Sequence, residues 1–273
     1  VTVGLIVLLS ISYCLSIKIH DSFFRVVNSK NAGFIQSYES FNINYNSKQV
    51  KIYNLKNNAS TTHIIYVPSK YGALNDIVTA ISAKYNFYGF EYPTEKQHQN
   101  FSALLAITKA VIQSAINAGV KPQNIILFGH GIGANVAFEA SLDQNLMAVI
   151  MLNSLNDEKS YCKKTFFPAF CLTIRSTFNF AKYNKNLIYY FFNKSEFFNT
   201  DDNYDIFNLI QSKDKFLFEI PGEDINFNFN HIIDFYNNEG KTQLEIYETK
   251  SLIEDSSSII DVDGYTDPDA YFD

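Results

Sequence analysis

The stretch Asn124 to Ser141, NIILFGHGIGANVAFEAS, is where residue types and spacing in this 273-residue chain point to chemistry. Asn124 to Phe128 (NIILF) reads as a strand, apolar from Ile125 onward. Gly129, Gly131 and Gly133 then allow a tight turn, and Ala134 to Leu142 has a helical pattern. Such a strand–turn–helix holds the residue at the tip of the turn over the helix N-terminus, where negative charge is favoured. The tip position is Gly131. It has no oxygen, sulfur or carboxylate and cannot form an acyl-enzyme. His130 beside it is expected to be structural. Ser69 and Ser154 are the candidates for a displaced nucleophile, but neither has a base placed by the sequence.

The elements that must position this turn are legible as alternating periods. Phe34 to Leu55 predicts two strands, His63 to Val67 (HIIYV) a buried strand, Asp76 to Lys84 a helix, and Asn86 to Tyr92 a strand. Phe101 to Ala118 predicts a long helix stopped by Gly119, and Met147 to Leu152 another buried strand. Alternating strands and helices mean a mostly parallel sheet with helices on both faces, an α/β class. Residues 156–210 break the rhythm with 15 Phe or Tyr and read as helical and irregular. Lys215 to Ile220 returns to strand, Asn230 to Tyr236 to helix and Gln243 to Tyr247 to a last strand.

Residues 1–17 carry no charge and predict an N-terminal transmembrane helix, with lipid around 1–17 and an anchor spanning 1–25. The globular domain is expected over 26–250, with 156–210 as a lid-like aromatic insert, and an acidic tail over 251–273. The formal net charge of −6 is local: seven acids follow Lys250, and the rest of the chain sums to +1. No nucleic-acid partner is expected, because the chain lacks a basic surface. Three cysteines make no zinc or disulfide framework. Cys162 and Cys171, nine residues apart in the insert, could pair, but are read as buried thiols. No cofactor or metal site is expected; the tail DVDGYTDPDAYFD lacks full calcium-loop spacing. The N-x-[ST] triplets at Asn58, Asn100 and Asn193 are what chance allows in a chain with 29 asparagines.

The run KPQNIILFGHGIGANVAFEA, the strand AVIMLNS and the stretch FLFEIPGEDINFNFNHIIDFY together resemble the α/β-hydrolase superfamily, in its membrane-associated serine hydrolase and depalmitoylase-like branch. The resemblance implies a nucleophile at Gly131, an acid at Asp224 and an oxyanion loop at Pro68 and Ser69. It also implies a histidine after the last strand, where Glu248 to Ile253 holds none. Pro68 has no N–H to donate. With nucleophile, base and oxyanion loop all changed, the expectation is a degenerate, catalytically inactive member, not an enzyme. The expected role is a structural or accessory subunit of a membrane protein complex, with other subunits as partners; a mitochondrial inner-membrane complex would suit the composition. Two alternatives stand beside it. One is a module that binds a lipid or acyl chain without hydrolysing it. The other is a membrane-anchored serine hydrolase with relocated catalytic residues.

Overall fold

The computed structural model describes residues 2–24, 39–45, 48–69, 75–90, 100–154, 171, 178–193, 200–212 and 214–220. Helix α1 spans Thr2–Phe24. Strands β1 (Glu39–Tyr45), β2 (Lys48–Leu55) and β3 (His63–Val67) follow, then helix α2 (Asn75–Lys84), strand β4 (Asn86–Phe90) and helix α3 (Phe101–Asn117). Next come β5 (Ile125–His130), α4 (Ile132–Ser141) and β6 (Ala148–Leu152). The described part ends with β7 (Tyr183–Asn184), β8 (Leu187–Asn193), helix α5 (Thr200–Leu209), β9 (Gln211–Ser212) and β10 (Lys215–Ile220).

Among the described residues one eight-stranded sheet runs in the order β1-β2-β4-β3-β5-β6-β8-β10. The β1/β2 and β2/β4 pairs are antiparallel, and every pairing from β4 through β10 is parallel. A parallel strand must be joined by a crossover, which is why helices alternate with strands from β3 to β6. The mostly parallel sheet with helices is the architecture expected from the sequence.

One side of the sheet carries the main core. Ile65, Val67, Leu127, Val149, Met151, Ile188, Tyr190 and Phe192 pack under α3 and α4. Helix α3 supplies Leu104, Ile107, Val111, Ile112 and Ala115 at helical spacing, all buried. Its start is fixed by Asn100, whose side chain accepts a hydrogen bond from the Ala103 N–H at 2.9 Å. Its end is fixed by Gly119 at φ +94°, with the Val120 N–H bonded back to the Ala115 carbonyl. Helix α2 packs on β4, outside this cluster, through buried Val78 and Ile81.

Two expectations differ from the structure. Tyr189-Tyr190-Phe191-Phe192, read as part of an irregular insert, is the body of β8, between β6 and β10. All four rings are buried. A strand covered on both faces shows no alternation of apolar and polar residues, so a lid-like reading of this stretch fails for β8. The second difference is the membrane span. Helix α1 forms, but among the described residues no helix is long and apolar enough to cross a membrane. Helix α1 instead packs one face on the body: Ser12 is fully buried and Leu15 lies against the main core. The expected transmembrane helix is therefore unsupported. The predicted helix 230–236, the strand 243–247 and the tail 251–273 lie outside the described residues.

A buried polar cluster ties α4 to β8. Asn186 Nδ2 donates to the Ser141 carbonyl at 2.8 Å, while its Oδ1 accepts from the Leu146 N–H at 2.9 Å. Asn184 Nδ2 donates to Ser141 Oγ at 2.7 Å. Truncating Asn186 leaves buried donors and acceptors unpaired, each worth about 1–3 kcal/mol. Asn186→Ala is expected to destabilise the fold by about 2–4 kcal/mol, read from urea denaturation midpoints.

Candidate functional site

The site is built where β5 turns into α4. Gly131 has φ +57° and ψ −123° and serves as the helix N-cap, with no side-chain cap on α4. Its N–H donates to the Leu152 carbonyl at 2.9 Å, which pins the tip of the turn to the end of β6. A positive φ is easy for glycine and strained for other residues.

The three glycines do different things. A Cβ at Gly129 would lie 2.3 Å from the Gly133 carbonyl oxygen and 2.5 Å from the Ala134 Cα. One at Gly133 would lie 2.1 Å from the Val67 carbonyl oxygen and 2.5 Å from that of Pro68. These are backbone atoms of a packed strand and helix, so neither position admits a side chain. At Gly131 the neighbour is a side chain: among the described residues a Cβ there would meet the Ser69 Cβ, at 3.3 Å.

Pro68 and Ser69 follow β3, which pairs with β5 in parallel register and ends with Val67 opposite Gly129. That pairing carries Ser69 to the tip of the turn. Its side chain is buried, at 4% exposure. Pro68 contributes its carbonyl to the packing against α4 and, as expected, no N–H.

The other candidates lie elsewhere. Gly129 faces α4, so by strand alternation His130 points to the opposite side of the sheet. The His130 ring is part-exposed, but its Nδ1 is shut off from solvent and has no hydrogen-bond partner. Burial lowers its pKa to about 4, so the ring is neutral at pH 7. Ser154, 1% exposed, donates to Asn135 Oδ1 at 3.0 Å and is hydrogen-bonded with Tyr190. Tyr190 in turn donates to Asn203 Oδ1 at 2.8 Å. Burial pushes the Tyr190 pKa up, partly offset by the bond with Ser154. The Ser154 hydroxyl is thus committed to a structural network that joins β6, α4, β8 and α5. The signal for it was Asn135, a polar residue among the buried positions of α4. Asp224 and His231 lie outside the described residues. Among the described residues no group of three or more His, Cys, Asp and Glu side chains could hold a metal ion.

No protein-family model matches the chain, and no curated protein matches it. Solved structures do. Est1E from Butyrivibrio proteoclasticus matches with a TM-score of 0.56 and 13% identity, over 71% of this chain and 97% of that one. A soluble variant of monoglyceride lipase from Saccharomyces cerevisiae matches with a TM-score of 0.53 and 10% identity, over 75% and 95%. An esterase from the bacterial hormone-sensitive lipase family matches with a TM-score of 0.53 and 12% identity, over 74% and 85%. The chain has the α/β-hydrolase fold.

These findings correct one expectation. The chain was expected not to be an enzyme, because Gly131 occupies the nucleophile position and no histidine follows the expected last strand. The structures that share its fold over about three-quarters of its length include a lipase and an esterase, so that expectation is not upheld. The expectation rested on the joint change of nucleophile, base and oxyanion loop, with Ser69 and Ser154 considered as displaced nucleophiles that lacked a base placed by the sequence. The structure places the Cβ of Ser69 beside the tip of the turn, 3.3 Å from where a side chain on Gly131 would begin. Nothing in these likenesses supports an inactive subunit of a membrane complex or a mitochondrial location.

The glycine geometry gives a graded expectation. Gly129→Ala and Gly133→Ala should each destabilise the fold by about 3 kcal/mol or more through overpacking. Gly131→Ala should cost about 1–2 kcal/mol, the strain of its positive φ. Urea denaturation of the three variants checks the order.

Proposed function

We propose that this chain is a serine hydrolase of carboxylic esters in which Ser69, not the residue at the tip of the turn, supplies the reacting hydroxyl. The observation that supports it most is the 3.3 Å approach of the Ser69 Cβ to the place a side chain on Gly131 would occupy. The absence of a side chain at Gly131 leaves that place to Ser69.

In this reading the Ser69 Oγ attacks the ester carbonyl carbon while its proton passes to a base. The carbonyl oxygen takes up the negative charge close to the N-terminus of α4. That helix has no side-chain cap to compete for its first N–H groups, and its dipole favours an anion there. Collapse of the intermediate breaks the ester C–O bond, and the alcohol leaves with a proton. Water then cleaves the acyl-enzyme and restores the Ser69 hydroxyl. The fold shared with a lipase and an esterase supports the same reaction class.

Neither of the histidines with a described side chain suits the base. His63 opens β3, about 20 Å along the strand from Ser69 at about 3.3 Å per residue. His130 is turned away and too weakly basic. His20, His98 and His231, whose side chains are not among those described, are therefore the ones to vary.

The full chain is expected to hydrolyse p-nitrophenyl esters, and Ser69→Ala to lower kcat/KM by about 1,000-fold or more with an unchanged Tm. Alanine at His20, His98 and His231 in turn identifies the base. Absence of turnover in the folded wild type, or an undiminished rate in Ser69→Ala, overturns the proposal.

A further inference from the structure

The three N-x-[ST] triplets are alike in sequence but not in structure. Asn100 is the cap of α3, with its side-chain oxygen bonded to the Ala103 N–H. The side chain of Asn193, the last residue of β8, is not among those described. Asn58 stands in a hydrogen-bonded turn between β2 and β3, closed by the Ser60 N–H bonded to the Asn57 carbonyl at 3.1 Å.

Asn57 holds that turn to the body. Its N–H donates to Asn86 Oδ1 at 2.9 Å, its Nδ2 donates to the Ala83 carbonyl at 3.1 Å, and its Oδ1 accepts from the Ala59 N–H at 3.0 Å. With Asn57 turned inward, Asn58 is presented outward as the next residue of a fixed turn. It is exposed, and Ala59 after it is exposed too. A second observation bears on compartment. Cys171 is disulfide-bonded, against the reading of buried thiols; Cys14 is free, and Cys162 lies outside the described residues. Cys171 is only 1% exposed and belongs to the main core, so its bond is part of the fold. Structural disulfides form and persist in oxidising compartments such as the endoplasmic reticulum lumen, where asparagine-linked glycans are also attached.

We propose that Asn58 is an N-glycosylation site and that the chain matures in an oxidising, glycosylating compartment. The Asn58 Nδ2 forms a C–N bond to the anomeric carbon of a lipid-pyrophosphate-linked oligosaccharide. The C–O bond to the pyrophosphate breaks, the lipid pyrophosphate departs and one amide proton is released. In the folded turn the Ser60 hydroxyl is bonded with the Thr62 backbone, so transfer precedes closure of the turn, and the exposed Asn58 then lets the glycan extend into solvent.

The test is peptide mapping of the full-length protein purified from its own cells. Treatment with peptide N-glycosidase F in ¹⁸O water should convert Asn58 to an ¹⁸O-labelled aspartate and remove the mass of one glycan. Asn58→Gln should lack that glycan, while Asn100→Gln should keep it. Recovery of Asn58 as unmodified asparagine overturns the proposal, whether or not another asparagine carries a glycan.

Discussion

Two backbones meet at Gly129 and Gly133 more closely than any side chain permits. The start of α4 lies directly on β5 at one glycine and on the end of β3 at the other, with built Cβ positions 2.1–2.8 Å from backbone atoms. That approach sets the direction of α4, and α4 covers the middle of the sheet. It also brings the segment after β3 against the tip of the turn. The same pair of glycines therefore governs both the core beneath α4 and the setting of Ser69.

The rest of the sheet holds this junction by burying polar groups in pairs. Asn184, Asn186 and Ser141 join the end of α4 to the start of β8. Asn135, Ser154, Tyr190 and Asn203 join its beginning to β6, β8 and α5. Buried amides and hydroxyls specify a geometry because any displacement leaves them unpaired. An asparagine-rich composition here serves the interior as well as the turns. On the other side of β8 and β10, aromatic rings take over. Phe191 and Phe218 stack with centroids 4.7 Å apart, and Tyr189 stacks on Phe216 at 5.8 Å.

The turn itself was legible in the sequence because a buried strand, three spaced glycines and a helix are contiguous there. The alternation from β3 to β6 was legible for the same reason, as local period. Strand β8 was not, because four consecutive aromatics buried on both faces carry no period. The contact between Ser69 and Gly131 depends on the pairing of β3 with β5, which places together residues far apart in the chain. The sequence named Ser69 and Ser154 as candidates together, and only the strand pairing separates the one beside the tip from the other. The disulfide at Cys171 was ranked below buried thiols because cysteine spacing carries no geometry until the backbone is placed. The expected acid, Asp224, falls beyond the described residues.

The central claim is that the reacting hydroxyl has moved to the end of β3. It is tested most directly by treating the folded full-length protein with a fluorophosphonate probe and locating the adduct by tandem mass spectrometry. The account predicts a single phosphonylated serine, Ser69, with no adduct after prior heat denaturation. An adduct at Ser154, or none on the folded protein, would contradict it.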